Sequence, residues 1–239
     1  MAKRIVDPKA DRKRKLEELK REQRSRERRK TLVTVGIATL LGLGLIAAVV
    51  TPAVLKDQRL KTERKADERD AKLPVANFGV KAADANCSAE TTDNPIPAGG
   101  DHSQEGERVD YAVSPPSGGR HSAGGVLGQG TGFFARSASS PPERAVHSLE
   151  HGGVIVWYDK TVPDDQVKAL RKIGVAGVNK SLRLIVVPWE RGDFADDKHI
   201  VLTSWGHRQA CGAPSGEAIE AFVKKNADSE VAPERGGQI

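Results

Sequence analysis

HSLEHGGVIVWY, residues 147–158, joins a histidine motif to an uninterrupted apolar run. The run Val154–Tyr158 follows two glycines, and a continuous apolar stretch of this length predicts a β-strand. Further strands are predicted at Leu182–Val187, which Pro188 closes, at His199–Ser204 and, more briefly, at Val109–Val113. Val154–Tyr158 is the clearest of these predicted strands.

Two helices are predicted between and after these strands. Pro163–Ile173 has acids in its first turn and basic residues in its last turn, and Gly174 is expected to end it. Gly216–Lys225 places apolar side chains on one face and is the predicted closing helix. This order of strands and helices predicts an α+β fold with a mainly antiparallel sheet and two or three helices.

One compact domain is predicted from residue 73 to residue 226, a length that suffices for a single core. The remaining residues, 227–239, contain PERGGQI and are expected to be disordered. Two stretches rich in Gly, Ser and Pro, Asn94–Gly106 and Ser114–Gly132, are too long to be simple connectors. Loops of this length are usually functional or mobile.

Residues Thr31–Leu55 form twenty-five consecutive positions without a charge. A hydrocarbon core about 30 Å thick is crossed by roughly 20 apolar residues in a helix, and backbone amides inside it must pair internally. The run therefore predicts a single transmembrane helix that anchors the chain in a membrane. A cleaved signal peptide is disfavoured, because its apolar region is shorter and is not preceded by 30 residues.

The charges around this run predict an orientation. Residues 1–30 carry 14 Lys or Arg and 6 Asp or Glu, a net of +8 against +6 for the whole chain. Positive charge beside a span stays cytoplasmic, so this segment is expected to be a basic cytoplasmic tail and not a nucleic-acid-binding arm. Residues 56–72 alternate in charge and are expected to form a stalk. The domain is then expected outside the cytoplasm, on a single-pass protein of the cell membrane.

The chain has two cysteines, Cys87 and Cys211. Both lie in the part expected outside the cytoplasm, where two cysteines usually pair. The sequence therefore predicts a disulfide that ties the segment at the start of the domain to the residues before its last helix. Two buried free thiols are the alternative. A redox or copper-binding pair is disfavoured because no C-x-x-C spacing is present.

The motif His147-Ser-Leu-Glu150-His151 carries the clearest chemistry. Imidazole is the commonest metal ligand in proteins, and a carboxylate beside it can ligate, orient or act as a base. The string H-x-x-E-H is also an inverzincin signature, but that site needs a long helix, and Gly152-Gly153 and a strand follow at once. A structural hydrogen-bond network, a metal site and an acid–base centre all remain open.

A third histidine ligand is expected from the glycine-rich loop. His121 is the best candidate, whereas His102, His199 and His207 are interpreted as surface or loop histidines. Copper and zinc both suit imidazole ligation. A phosphate-binding loop is disfavoured, because no glycine pair in this region precedes Lys followed by Ser or Thr.

Three segments together resemble the DUF3105 family: Pro115-Pro-Ser-Gly-Gly-Arg-His121, Val146–Val154 and Trp205-Gly206. The resemblance covers roughly residues 86–223. It implies a bacterial, often actinobacterial, membrane-anchored protein of uncharacterised function. It also implies that His121, His147, Glu150 and His151 occupy the family's motif positions, and it implies no reaction.

Three functional hypotheses follow. The preferred one is an extracytoplasmic domain that binds copper or zinc through His121, His147 and His151, with Glu150 as a further ligand or as a partner of one. The second is a metal-dependent hydrolase with Glu150 as the base. The third is a non-enzymatic envelope module in which the motif is scaffold and a protein partner binds elsewhere.

Overall fold

The computed structural model describes residues 8–125, 130–138, 141–195 and 197–239. Residues 1–7 of the predicted basic tail and 126–129 of the predicted loop Ser114–Gly132 lie outside the described residues. The chain divides after Thr62 into two units.

Helix α1 spans Pro8–Asp70 and includes Pro52. Of the 19 residues from 12 to 30, 15 are Lys, Arg or Glu, and residues 12–41 are exposed. The part of the chain that the structure describes contains no helix long and apolar enough to cross a membrane. The predicted transmembrane helix at Thr31–Leu55 is therefore corrected: this run belongs to a 63-residue helix that is polar on average.

The second unit is an α+β domain around a mixed five-stranded sheet. The strand order is β1-β7-β6-β4-β5, with β4 and β5 parallel and the other neighbours antiparallel. The strands are β1 Thr91–Thr92, β4 Val154–Tyr158, β5 Leu184–Pro188, β6 Ile200–Ser204 and β7 His207–Cys211. A separate parallel pair joins β2 His102–Ser103 to β3 His121–Ser122.

The sheet is covered on both faces, which explains the unbroken apolar run of β4. Successive side chains of a strand point to opposite faces. Val156 packs among residues of helices α3 and α4, whereas Trp157 packs among residues of helix α2. Both side chains are fully buried. The helices are α2 Pro142–Glu150, α3 Asp164–Asn179 and α4 Gly216–Asn226.

Two local expectations differ from the structure. Residues 109–113 form no strand, since the Val109 N–H donates to the Glu143 carboxylate instead (2.7 Å). Helix α3 continues past Gly174, where the chain at Gly132 approaches so closely that a Cβ would lie 2.6 Å from the Gly132 oxygen. Gly174 therefore permits a close contact and does not end the helix.

The predicted disulfide is confirmed: Cys87 is bonded to Cys211, the last residue of β7. Cys211 is almost fully buried in the core on the α3 and α4 face, and Cys87 packs against that core. The bond thus fixes the chain before β1 to the sheet at the point where α4 is about to begin.

A buried hydrogen bond within the sheet leads to a stability prediction. The Trp157 indole N–H donates to Thr203 Oγ1 (2.8 Å), and both side chains are fully buried. Thr203→Val leaves the indole donor without an acceptor, so the free energy of unfolding is expected to fall by about 1–3 kcal/mol. Urea denaturation followed by circular dichroism measures the change. In a Trp157→Phe background the same substitution should cost far less, and an equal cost in both backgrounds would contradict the assignment.

Candidate functional site

Helix α2 supplies two of the four side chains of the site. It begins at Pro142. Proline has no backbone N–H, but an N–H in the first turn of a helix would have no acceptor within the helix, so no hydrogen bond is lost. His147 and Glu150 are three residues apart, so they lie on the same side of the helix. The helix stops at Glu150 because Gly152 takes a positive φ of 85°, where a Cβ would lie 2.7 Å from the Asp228 carboxylate. The motif is therefore the last turn of a helix.

The parallel pair β2–β3 supplies the other two side chains. His102 and His121 are register partners in this pair, so their side chains leave the backbone side by side. Their ring centroids are 4.9 Å apart. The two long loops that the sequence marks as functional are thus joined at their histidines.

These four residues converge on one point. Among the described residues, His102, His121, His147 and Glu150 each offer a ligand atom, and these atoms all lie within 4.8 Å of one another. Glu150 Oε2 is 2.8 Å from His121 Nε2 and 3.7 Å from His102 Nε2. A tetrahedral ion with bonds of about 2.0–2.2 Å needs ligand atoms about 3.4 Å apart. The two distances from Glu150 Oε2, 2.8 Å and 3.7 Å, lie on either side of that value.

His121 is fully buried and its orientation is set by the backbone. Its Nδ1 lies 2.7 Å from the carbonyl oxygen of Gly119, which can only accept, so Nδ1 carries the proton. Gly119 has a φ of 100°, a conformation that glycine adopts at little cost. Nε2 is then the atom that faces the cluster. A hydrogen bond from the distal ring nitrogen to a carbonyl is the usual way to orient a metal-ligating histidine.

Glu150 is also fully buried, and its two oxygens differ. Oε1 accepts the Gly100 N–H (2.5 Å), whereas Oε2 faces the histidines. In the described residues its only charged or chargeable neighbours within ion-pair distance are His102 and His121, with no Lys or Arg. A buried carboxylate without a cation is costly. A positive charge close to Oε2 would offset that cost.

The surroundings of His147 favour the neutral form of its imidazole. Its burial lowers the pKa of its imidazole, and the neighbouring His151 and His121 lower it further, against the opposing effect of Glu150. Neutral imidazole is the form that binds metal ions. A Cβ on Gly125 would lie 3.0 Å from His147 Cδ2, so the glycine-rich loop packs directly against this ring.

His151 is close to the cluster but outside it. It is the C-cap residue of α2, and its Nε2 lies 3.3 Å from Glu234 Oε2. Its ring centroid is 4.5 Å from that of His147. Of the four predicted ligands, His121, His147 and Glu150 lie together in the cluster. The fourth member of the cluster is His102, whereas the sequence predicted His151.

His102 is the residue that sequence reasoning assigned to the surface. Its side chain is 39% exposed, in agreement with that interpretation, yet its Nε2 faces Glu150. The available signal was its position in the long predicted loop Asn94–Gly106, which did not by itself mark it as a ligand. Those two histidines lie elsewhere, beside Asp159 and Glu90 respectively.

The C-terminal segment, residues 227–239, packs against the end of α2. Backbone N–H groups of Asp228 and Glu234 donate to the carbonyls of Gly152 (2.9 Å) and Glu150 (3.0 Å). Arg183 donates to the carbonyls of His151 (2.5 Å) and Gly237 (2.6 Å). The segment thus satisfies carbonyls that the end of α2 would otherwise leave unpaired.

The Trp205 side chain packs against the ring of His121. Its ring is nearly perpendicular to the imidazole at a centroid distance of 6.1 Å, and its Nε1–H donates to the Pro97 carbonyl (2.9 Å). Trp205 is almost completely buried in the core on the α2 face. The site is therefore attached rigidly to the sheet through the turn between β6 and β7.

The fold and the cluster define an α+β domain with a candidate metal centre of three histidines and one glutamate. Residues 94–238 match the family model described as "Protein of unknown function (DUF3105)". The match covers more than half of the chain, so the protein belongs to the DUF3105 family. The chain matches no curated protein and no solved structure.

Proposed function

We propose that this domain binds one divalent transition-metal ion, zinc or copper(II), through His102, His121, His147 and Glu150. One observation carries the proposal. His121 Nε2 and Glu150 Oε2 are buried and only 2.8 Å apart, yet neither has a hydrogen-bond partner among the described residues. Two buried polar atoms that face each other without a hydrogen bond are costly. A bound cation would satisfy both at once.

The donor set supports a divalent ion. Three imidazoles and one carboxylate are borderline to hard donors, which suit zinc and copper(II). Soft donors are scarce, because both cysteines are in the disulfide and the sequence has a single Met. A thioether-based cuprous carrier is disfavoured for that reason.

The same geometry disfavours Glu150 as the base of a hydrolase. One of its oxygens accepts the Gly100 N–H, and the other lies among the histidine nitrogens. A carboxylate used in this way is a ligand, and four protein ligands are typical of closed sites, whereas catalytic zinc keeps a position for water. Binding of the ion is the function that the cluster supports best.

We also propose that the domain works in an oxidising compartment outside the cytoplasm. The observation in favour is the bond between Cys87 and Cys211, since disulfides persist in such compartments and are rare in the cytosol.

His147→Ala and His151→Ala form a matched pair that tests metal binding. Both residues lie at the end of α2, but only His147 belongs to the cluster. We expect the tag-free full chain to bind about one equivalent of Zn²⁺, and His151→Ala to bind it similarly. His147→Ala should bind Zn²⁺ at least tenfold more weakly, because mutation even of a residue that only hydrogen-bonds to a metal ligand lowers metal affinity by about 10–100-fold. Competition with a chromophoric chelator measures the affinities, and circular dichroism checks folding.

Two outcomes would overturn the proposal. One is a wild-type chain that takes up neither Zn²⁺ nor Cu²⁺ after treatment with a chelator and dialysis. The other is an equal loss of affinity in the two variants, which would show that the cluster around His147 does not hold the ion.

A further inference from the structure

The four residues of the cluster differ sharply in their access to solvent. The side chains of His121 and Glu150 are completely buried, whereas that of His102 is 39% exposed. His147 is partly buried. His102 is therefore the most exposed of the four side chains.

The buried side chains are also held in place by further contacts. The Gly119 carbonyl accepts from His121 Nδ1, and the Gly100 N–H donates to Glu150 Oε1. Gly125 packs against the ring of His147. These contacts leave little freedom to three of the four candidate ligands.

His102 differs, because its backbone is fixed and its ring is not. The backbone pairs with β3, and the preceding carbonyl, that of Asp101, accepts the His121 N–H (3.0 Å). The ring, by contrast, approaches Glu150 Oε2 at 3.7 Å, beyond hydrogen-bond range. Among the described residues its imidazole has no hydrogen-bond partner that would hold it over the cluster. Rotation about its side-chain bonds therefore breaks its packing against the rings of His121 and His147 but needs no shift of the β2–β3 pair.

We propose that His102 is the exchange ligand of the site, through which the ion enters and leaves. The inference rests on the metal binding proposed above. An acceptor that carries an imidazole or thiolate approaches from the exposed side and replaces His102. One metal–donor bond forms as the bond to His102 Nε2 breaks, and the oxidation state of the ion does not change. His121, His147 and Glu150 form the fixed half of the site.

Rates of Zn²⁺ transfer test this assignment. The zinc-loaded full chain is mixed with increasing concentrations of a chromophoric chelator, and wild type, His102→Ala and His151→Ala are compared. In wild type the rate should level off at high chelator concentration, because departure of His102 becomes limiting. In His102→Ala that step is missing, so the rate should rise linearly and exceed the wild-type rate at least tenfold. His151→Ala should behave like wild type.

The outcomes separate this inference from the proposed function. If wild type binds no Zn²⁺, metal binding itself fails and the exchange ligand fails with it. If wild type binds Zn²⁺ but His102→Ala releases it at the wild-type rate, only the role of His102 is overturned. Complete loss of Zn²⁺ binding in a folded His102→Ala chain would also overturn it, because His102 would then be needed to hold the ion. His121→Ala is the comparison variant for such a loss.

Discussion

Glu150→Gln is expected to weaken Zn²⁺ binding by roughly two orders of magnitude or more. The substitution removes both a ligand oxygen and the only negative charge in the cluster. Mutation of a residue that only orients a metal ligand lowers metal affinity by about 10–100-fold. Loss of a ligand should therefore lower the affinity by at least the upper end of that range. The shape of the side chain is retained, and the amide oxygen can still accept the Gly100 N–H. Affinity is measured by chelator competition on the tag-free full chain.

Glu143→Gln is the matched control for this experiment. Glu143 is also a buried glutamate of α2, but its carboxylate pairs with Arg191 (2.8 Å) and lies outside the cluster. The control should keep its affinity for Zn²⁺. Equal affinities in the Glu150 and Glu143 variants would show that Glu150 is not a ligand.

The metal-free form of Glu150→Gln provides a second readout. A buried carboxylate without a Lys or Arg partner destabilises the empty site. The midpoint of urea denaturation of the metal-free variant is therefore expected to equal or exceed that of metal-free wild type. Addition of Zn²⁺ should raise the midpoint of wild type by clearly more than that of the variant at the same concentration.

Removal of the disulfide is expected to lower the free energy of unfolding by about 2–5 kcal/mol. Cys87 and Cys211 are 124 positions apart, and for a loop of this length the chain-entropy model predicts an effect of about 4–5 kcal/mol. The double variant Cys87→Ala/Cys211→Ala tests this by urea denaturation. A change below about 1 kcal/mol would mean that the core holds the segment before β1 without the bond.

Reduction of wild type is the control for the substituted side chains. A reductant should lower the stability of wild type to about that of the double variant, and it should not alter the double variant. A large further loss in the double variant relative to reduced wild type would point to packing at Cys211, which is buried in the core.

The strands of the central sheet could be predicted wherever their apolar content is high. Val154–Tyr158 is buried on both faces, so the strand is apolar at every position. The strand β7, His207–Cys211, has no such signal, because His, Arg and Gln occupy three of its five positions. It is a strand because β6 and β1 supply partners for its backbone, which a local pattern does not reveal.

Helix α2 was hidden for a related reason. Gly152-Gly153 directly after the motif indicated an approach to a strand and disfavoured a helix. The helix ends just before these glycines, and the packed C-terminal segment supplies donors for the carbonyls of Glu150 and Gly152. Contacts from the far end of the chain therefore allow the helix to reach Glu150.

The sequence by itself determined the central strand and the pairing of the two cysteines. These depend on local periodicity or on there being two cysteines. Tertiary structure alone decided the rest of the site. His102 and His121 meet because two loops pair as parallel strands, and His151 turns to Glu234 because the helix has ended. Long-range backbone pairing, which leaves no local pattern, thus placed His102 in the cluster, whereas the sequence had favoured His151.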